Sequence, residues 1–157
     1  KRLFKNMLKG SVQVFDEKFR IPLILTGYGI DAHSIISQQV RSVDIFPTLL
    51  EILGYDTDLP IHGTSLLPII KKENMVENPA YLESHKNVVE GINYNIIGIR
   101  TSNFKYFRDK NDPNKDVNLY DLTNDPYEEH NIANNNKQLI SEMESIIKRI
   151  QTSINNV

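Results

Sequence analysis

Apolar positions along this chain follow three rhythms, and each predicts a different kind of element. Ile21 to Thr26 is a continuous apolar run broken only by Pro22, which reads as a buried strand. Gly27-Tyr28-Gly29 then turns the chain, and Ile35 to Val40 reads as a short strand or an extended lead-in. Helical spacing follows: Phe46, Leu49, Leu50 and Leu53 fall at i, i+3, i+4 and i+7 and make one stripe. Pro47 belongs in a first turn, where its missing N–H would be unpaired anyway. Ser42 or Asp44 can cap that turn, and Gly54 suits a left-handed end. The spacing predicts a helix over roughly 44–53, a loop over 54–68 and a helical turn near 69–73.

A two-residue period takes over near Ala80. Ala80 to Ser84 is one candidate strand. In Asn95 to Thr101, Ile97 and Ile99 share one face, with Gly98 and Arg100 on the other. Ser102-Asn103 supplies a turn, and Phe104 to Arg108 returns as an antiparallel partner. Residues 109–116 have almost pure turn composition, and Asn118 to Leu122 reads as a further strand. From Lys137 to Ser153 the helical period returns. Leu139, Met143, Ile146, Ile147, Ile150 and Ile154 form its stripe, with Glu142, Glu144, Lys148 and Arg149 largely outside it. This helix is expected to lie on the sheet. Residues 1–18 are polar and show no period.

Composition narrows the function classes. The 157 residues carry a net charge of −2, which offers no basic field for nucleic acid. No apolar run approaches the roughly 20 residues of a membrane-spanning helix. Cysteine is absent, so disulfides and zinc–thiolate sites are excluded.

Three blocks resemble the sulfatase family of the alkaline-phosphatase-like superfamily, in the family's order. Phe15-Asp16-Glu17-Lys18-Phe19-Arg20-Ile21-Pro22-Leu23-Ile24 resembles its Y-E-x-x-x-R-V-P-L-I. Val43-Asp44 with Pro47-Thr48-Leu49-Leu50 and Gly54, then Gly63-Thr64-Ser65-Leu66-Leu67-Pro68, resembles V-D-x-x-P-T-L-L-x-x-x-G and G-x-S-L-x-P. Ile99-Arg100-Thr101 to Lys105-Tyr106, then Leu119-Tyr120-Asp121-Leu122 to Asp125-Pro126 and Glu128, resembles I-R-T-x-x-x-K-Y and L-Y-D-L-x-x-D-P-x-E. The resemblance implies an α/β fold: the end of an alkaline-phosphatase-like core over residues 1–78, and over 79–157 a small antiparallel sheet packed by the C-terminal helix. It also implies that the chain, which starts at Lys1 without an initiator Met, is the C-terminal portion of a longer enzyme.

For such an enzyme the resemblance implies hydrolysis of a sulfate monoester, on a sulfated small molecule or glycan. Its cofactors would be a divalent metal, calcium or magnesium, and a formylglycine nucleophile. The family makes that nucleophile within Cys/Ser-x-Pro-x-Arg, which does not occur here, and no acidic pair matches its metal motifs. The family also places an active-site lysine, as Lys-Gly, about ten residues before the Arg-Val-Pro segment. Lys9-Gly10 matches, eleven residues before Arg20. A compact ammonium with three donors suits a sulfate oxygen. Lys9 is therefore the catalytic candidate, with Lys5 its nearest rival, against the plain alternative of a solvated basic segment. His85 follows Tyr81-Leu82-Glu83-Ser84, a strand end that in the family faces the substrate cleft, and is the substrate-binding candidate. His33 is expected to be exposed and His62 structural. Arg20 suits bonds to carbonyls or a carboxylate, Asp44 a helix cap, and Arg100 and Lys105 pairing with Asp121 or Glu128. Two alternatives stay open: a phosphonate or phosphodiester hydrolase of the same superfamily, and a non-catalytic α+β interaction module.

Overall fold

The computed structural model describes residues 14–27, 29–31, 33–84 and 95–155. Lys5, Lys9 and His85 lie outside them. Four strands make an antiparallel meander in the order β1 (Ala80–Ser84), β2 (Ile96–Arg100), β3 (Phe104–Asp109) and β4 (Asn118–Asp121). The period-two reading of this zone holds to within a residue or two at each end. Register follows the hydrophobic pattern, with Tyr81 opposite Ile99, Ile99 opposite Tyr106, and Tyr106 opposite Leu119. One face is thus set: Ile97, Ile99, Tyr106 and Leu119 form a buried cluster with Ala133, Met143 and Ile147. The last two come from the terminal helix, Lys137–Asn155, which covers this face as its stripe predicts. Ile154, at the far end of that stripe, is exposed.

The opposite face carries a second core of Ile96, Phe107, Tyr120 and Leu122, completed by Val14. Phe15 packs its ring edge-on to Phe107 at 5.5 Å and to Tyr120 at 6.2 Å between centroids. Val14 and Phe15 lead into a four-residue helix, α1 (Asp16–Phe19). Both faces of the sheet are therefore covered, one by the terminal helix and one by a segment from the beginning of the chain. Gly98 lies on this second face because nothing larger fits. A Cβ there would meet the Tyr106 carbonyl oxygen at 2.4 Å and the Phe107 Cβ at 2.7 Å.

Between α1 and the sheet run a 3₁₀ turn (Ser42–Asp44), α2 (Ile45–Leu53) and α3 (Leu67–Ile70). Gly54 ends α2 in the left-handed region, φ 71°, as expected. Asp44 caps the 3₁₀ turn that leads into α2, by accepting the Arg41 N–H, rather than α2 itself. Its buried carboxylate accepts the Arg41 backbone N–H at 2.9 Å, the Arg41 guanidinium at 2.6 and 3.1 Å, and the Thr64 N–H at 2.9 Å. Thr48 works beside it. Its hydroxyl donates to the Asp44 carbonyl at 2.5 Å and accepts the Leu66 N–H at 2.8 Å. Helix and loop are stitched together by these two side chains. Gly63 is required at the crossing, because a Cβ would sit 1.9 Å from the Val43 carbonyl oxygen.

One expected element is missing. Ile21 to Thr26 forms no strand; it runs irregularly, with Ile24 79% exposed. A run apolar on both sides needs sheet neighbours, and none of the described residues pairs with it. The α2 stripe is also largely uncovered: Phe46, Leu49 and Leu53 are all exposed. Burying a large aliphatic side chain contributes roughly 1.5–3 kcal/mol, so this surface forgoes several such terms.

Tight backbone packing at Gly98 generates a stability prediction. Gly98→Ala should destabilise by about 1–3 kcal/mol through overpacking, read as a lower denaturant midpoint with an unchanged slope. A wild-type midpoint would show that the β2–β3 contact has room to spare.

Candidate functional site

The covalent order of the sheet brings two cations side by side. Arg100 on β2 and Lys105 on β3 are direct cross-strand partners on the face that Val14 and Phe15 cover. Both converge on Asp16. Arg100 donates to its carboxylate from Nη2 at 2.8 Å and from Nε at 3.1 and 3.2 Å. Lys105 donates from Nζ to Asp16 Oδ1 at 2.8 Å, and its ammonium lies 2.9 Å from Glu128 Oε1. Glu128 Oε2 accepts the Asp16 backbone N–H at 2.9 Å. Gln39 closes the group, donating to the Arg100 carbonyl at 2.9 Å and accepting from its Nη1.

This group is buried and balanced. The Lys105 side chain is fully buried and that of Glu128 nearly so. Two acids face two bases, so the charges cancel formally. Burial pushes the Asp16 carboxyl up, but hydrogen bonds and charge from Arg100 and Lys105 outweigh it and hold the group below the usual aspartate range. Glu128 takes the left-handed backbone conformation, φ 54°, which a glutamate adopts only against resistance.

A second ionic group ties the terminal helix to the other face. Arg108 on β3 makes a two-pronged contact with Glu144, Nε to Oε1 at 2.7 Å and Nη2 to Oε2 at 2.9 Å. Tyr106 donates to Glu144 Oε1 at 2.7 Å. Burial, then Glu144, raises the Tyr106 hydroxyl well above the ordinary tyrosine range. Burial raises Glu144, but Arg108 and Tyr106 prevail and lower it.

An open cleft of about 1110 Å³ runs beside Asp16 and Arg100, lined among others by Leu23, Ile36, Gln39, His62 and Tyr81. Its walls include the apolar run that lacks a sheet. His62 and His33 are exposed. So is Arg20, which makes none of the carbonyl or carboxylate bonds expected of it among the described residues. Arg100 and Lys105 are engaged by carboxylates rather than open to an anionic substrate. Glu128 is the partner of Lys105, as expected, whereas Asp121 turns to its own loop and accepts N–H groups from Thr123 and Asn124.

Asp16 and Gln39 were not singled out by the sequence. A signal for Asp16 existed: it fills the acidic position of the first resembling block, as Arg100, Lys105 and Glu128 fill charged positions of the third.

The family model described as "N-sulphoglucosamine sulphohydrolase, C-terminal" matches residues 11–156. The chain belongs to the sulfatase family, in the C-terminal region of its members. It is 31% identical over 128 residues to Arylsulfatase K of Homo sapiens, covering 78% of this chain and 24% of that protein. The Bos taurus protein of the same name is 29% identical over 145 residues, covering 88% and 27%. The chain thus spans about a quarter of the length of these relatives. Among solved structures it resembles BT4656 in complex with its substrate D-glucosamine-2-N, 6-O-disulfate, with a TM-score of 0.61 and 26% identity over 72% of this chain and 24% of that one. BT1596, described as a 2-O GAG sulfatase, shares the fold at a TM-score of 0.56 and 23% identity, covering 73% and 26%. The expected architecture, a small antiparallel sheet packed by a C-terminal helix at the end of an alkaline-phosphatase-like sulfatase, is the one found.

Sulfatases of this family are consistent with a metal and a formylglycine, and the described residues do not fit either group. Among them, one set of metal-capable side chains lies close together, Asp125, Glu129 and His130. Glu129 and His130 are exposed, and the Asp125 oxygens already accept the backbone N–H groups of Glu129 at 3.0 Å and His130 at 2.8 Å. That is a self-capped turn.

Acid sensitivity follows from the lowered carboxyls. Asp16, Asp44 and Glu144 all sit below their unfolded values of 3.8, 3.8 and 4.5. Their contribution is complete above those values and is lost as pH falls through them toward the folded values. The unfolding midpoint should therefore drop steeply below about pH 4.5, and Asp16→Asn should flatten that slope. An unaltered slope in the variant would remove Asp16 from the linkage.

Proposed function

We propose that this chain is the C-terminal portion of an enzyme that hydrolyses sulfate monoesters on a sulfated small molecule or glycan. The family match carries the reading. The glucosamine disulfate bound to one structural neighbour supports a sulfated sugar as the substrate class. The uncovered apolar side chains of 21–25 and of α2 favour this reading over a self-contained interaction module, which would hide them. Residues 1–78 would then complete the catalytic core and 79–157 the subdomain. The nucleophile, a formylglycine, and the ligands of a calcium or magnesium ion would come from outside this chain. The metal would supply charge at the sulfate oxygens.

Within the chain, Lys9 would donate to a sulfate oxygen and His85 would touch the non-reacting part of the substrate.

The test uses the full-length enzyme, with the isolated chain as an inert control. Lys9→Ala should lower kcat/KM on an aryl sulfate by roughly two orders of magnitude or more, as loss of an oxyanion donor does. His85→Ala should raise KM for the natural substrate and leave kcat and the aryl sulfate reaction nearly unchanged. Metal-dependent turnover by the isolated chain would contradict the fragment reading. Unchanged kinetics in Lys9→Ala would move the role to Lys5 or abolish it.

A further inference from the structure

We infer that Gln39, Glu77 and the turn between β2 and β3 act as one latch, which locks the unit of the 3₁₀ turn, α2 and α3 to the sheet across the cleft.

The chain passes between these two parts twice. It enters the unit through residues 33–41 and leaves it through residues 71–79, and neither crossing contains a helix or strand. Irregular segments have no ladder of their own to fix an angle, and they sit at the low end of local stability. The crossings are braced to each other instead. Gln38 Nε2 donates to the Met75 carbonyl at 3.0 Å. Lys72 also donates to Asp31 at 2.6 Å, but both groups are exposed, so water screens that pair and it contributes little.

Both crossings are then bonded to the same place on the sheet. From the first, Gln39 holds Arg100 at two points. Its Nε2 donates to the Arg100 carbonyl at 2.9 Å, and its Oε1 accepts from Arg100 Nη1. Its backbone N–H reaches Ser102 Oγ at 3.4 Å. From the second, Glu77 Oε1 accepts the Ser102 N–H at 2.7 Å, and Oε2 accepts from the Ser102 hydroxyl. The bonds close a ring, from 38–39 to 100–102, on to 77, and back through 75. Asn78 ties the second crossing to the unit itself, Nδ2 to Thr64 Oγ1 at 3.3 Å.

A ring has a property that separate bonds lack. Each member is placed by the others, so losing one leaves the rest to be made by freer groups at a greater entropic cost. Ser102 is the shared member, since its hydroxyl accepts from the first crossing and donates to the second. Arg100 anchors the ring to the interior, because its other nitrogens hold Asp16. The ring stands in the cleft wall, with Gln39 and Arg41 on one side and Tyr81, Arg100 and Ser102 on the other. Opening it leaves the bonds of Asp44 and Thr48 inside the unit and the ladder inside the sheet. What it frees is the placement of one against the other.

The test is reciprocal and uses the full-length protein. Gln39→Ala and Glu77→Ala are compared with wild type by amide hydrogen exchange at single-residue resolution under native conditions. Gln39→Ala removes the bonds to Arg100 and leaves Glu77 and Ser102 with all their atoms. The Ser102 N–H should nevertheless exchange on the order of ten-fold faster. Glu77→Ala removes the acceptor of Ser102 and leaves Gln39 untouched. The Gln39 N–H should speed up by a similar factor, because coupling between two sites is reciprocal. In both variants the N–H groups of Thr64 and Leu66, and those of 105–108, should keep their wild-type rates. If Gln39→Ala does not accumulate as folded protein, Gln39→Glu, which keeps the acceptor for Arg100 and loses the donor, is read in the same way. A wild-type rate at either remote amide means that the bonds act separately and overturns the inference. A rise spread evenly through the unit and the sheet reports lost global stability and overturns it as well.

Discussion

An ammonium group taken wholly out of water constrains everything around it. Lys105 lies on the third strand with no exposed surface, between the carboxylates of Asp16 and Glu128. Removing one partner from such a group costs about 3–5 kcal/mol, since the remaining charge stays buried and uncompensated. The sheet can therefore hold Lys105 only if the beginning of the chain returns to cover it. That requirement ties residues 14–16 to strands that begin more than sixty positions later. Glu128 reaches Lys105 from a turn in which its own N–H bonds the Asp125 carbonyl and its φ is 54°, and Arg100 lies alongside, with Gln39 bonded to its carbonyl. The second core then fills the space that this docking encloses.

The other half of the chain is organised by a smaller device of the same kind. Asp44 and Thr48, one helical turn apart, offer their side chains to backbone N–H groups of the loop at Thr64 and Leu66. Gly63 lets the two backbones approach. These bonds join the two motifs of the second block into one unit, which explains why they occur together. The unit presents Phe46, Leu49 and Leu53 outward, next to the unpaired run of 21–25. One half of the chain is thus packed on both sides of a sheet, and the other is apolar on a surface that the described residues leave exposed.

Local pattern was legible in the sequence, and long-range pairing was not. The pattern reports the four strands, whose partners in the sheet are neighbours in sequence, and the terminal helix, whose single stripe faces that sheet. Alternation at 97–99 and the stripe from Leu139 to Ile150 therefore carried enough information. Ile21 to Thr26 looked like a strand by composition, but a strand exists only with a partner. The position of Asp44 predicts a local cap, and beside that local bond the carboxylate makes another that spans 20 residues. The bond from Asp16 to Glu128 spans 112, and no periodicity reports on that. Lys9 and His85 were legible only through family resemblance, because a lone lysine and a lone histidine have no spacing of their own.

The central claim is that Asp16, Lys105 and Glu128 act as one cooperative group. A double-mutant cycle on Asp16→Asn and Lys105→Met, read by chemical denaturation of the full-length protein, tests it most directly. The two sites touch, so strong coupling is expected, within the roughly 0.5–3 kcal/mol range seen for contacting charged residues. The double variant should be markedly less destabilised than the sum of the single variants. Additive losses would mean that Lys105 is stabilised by something other than the returning segment, and would contradict the account.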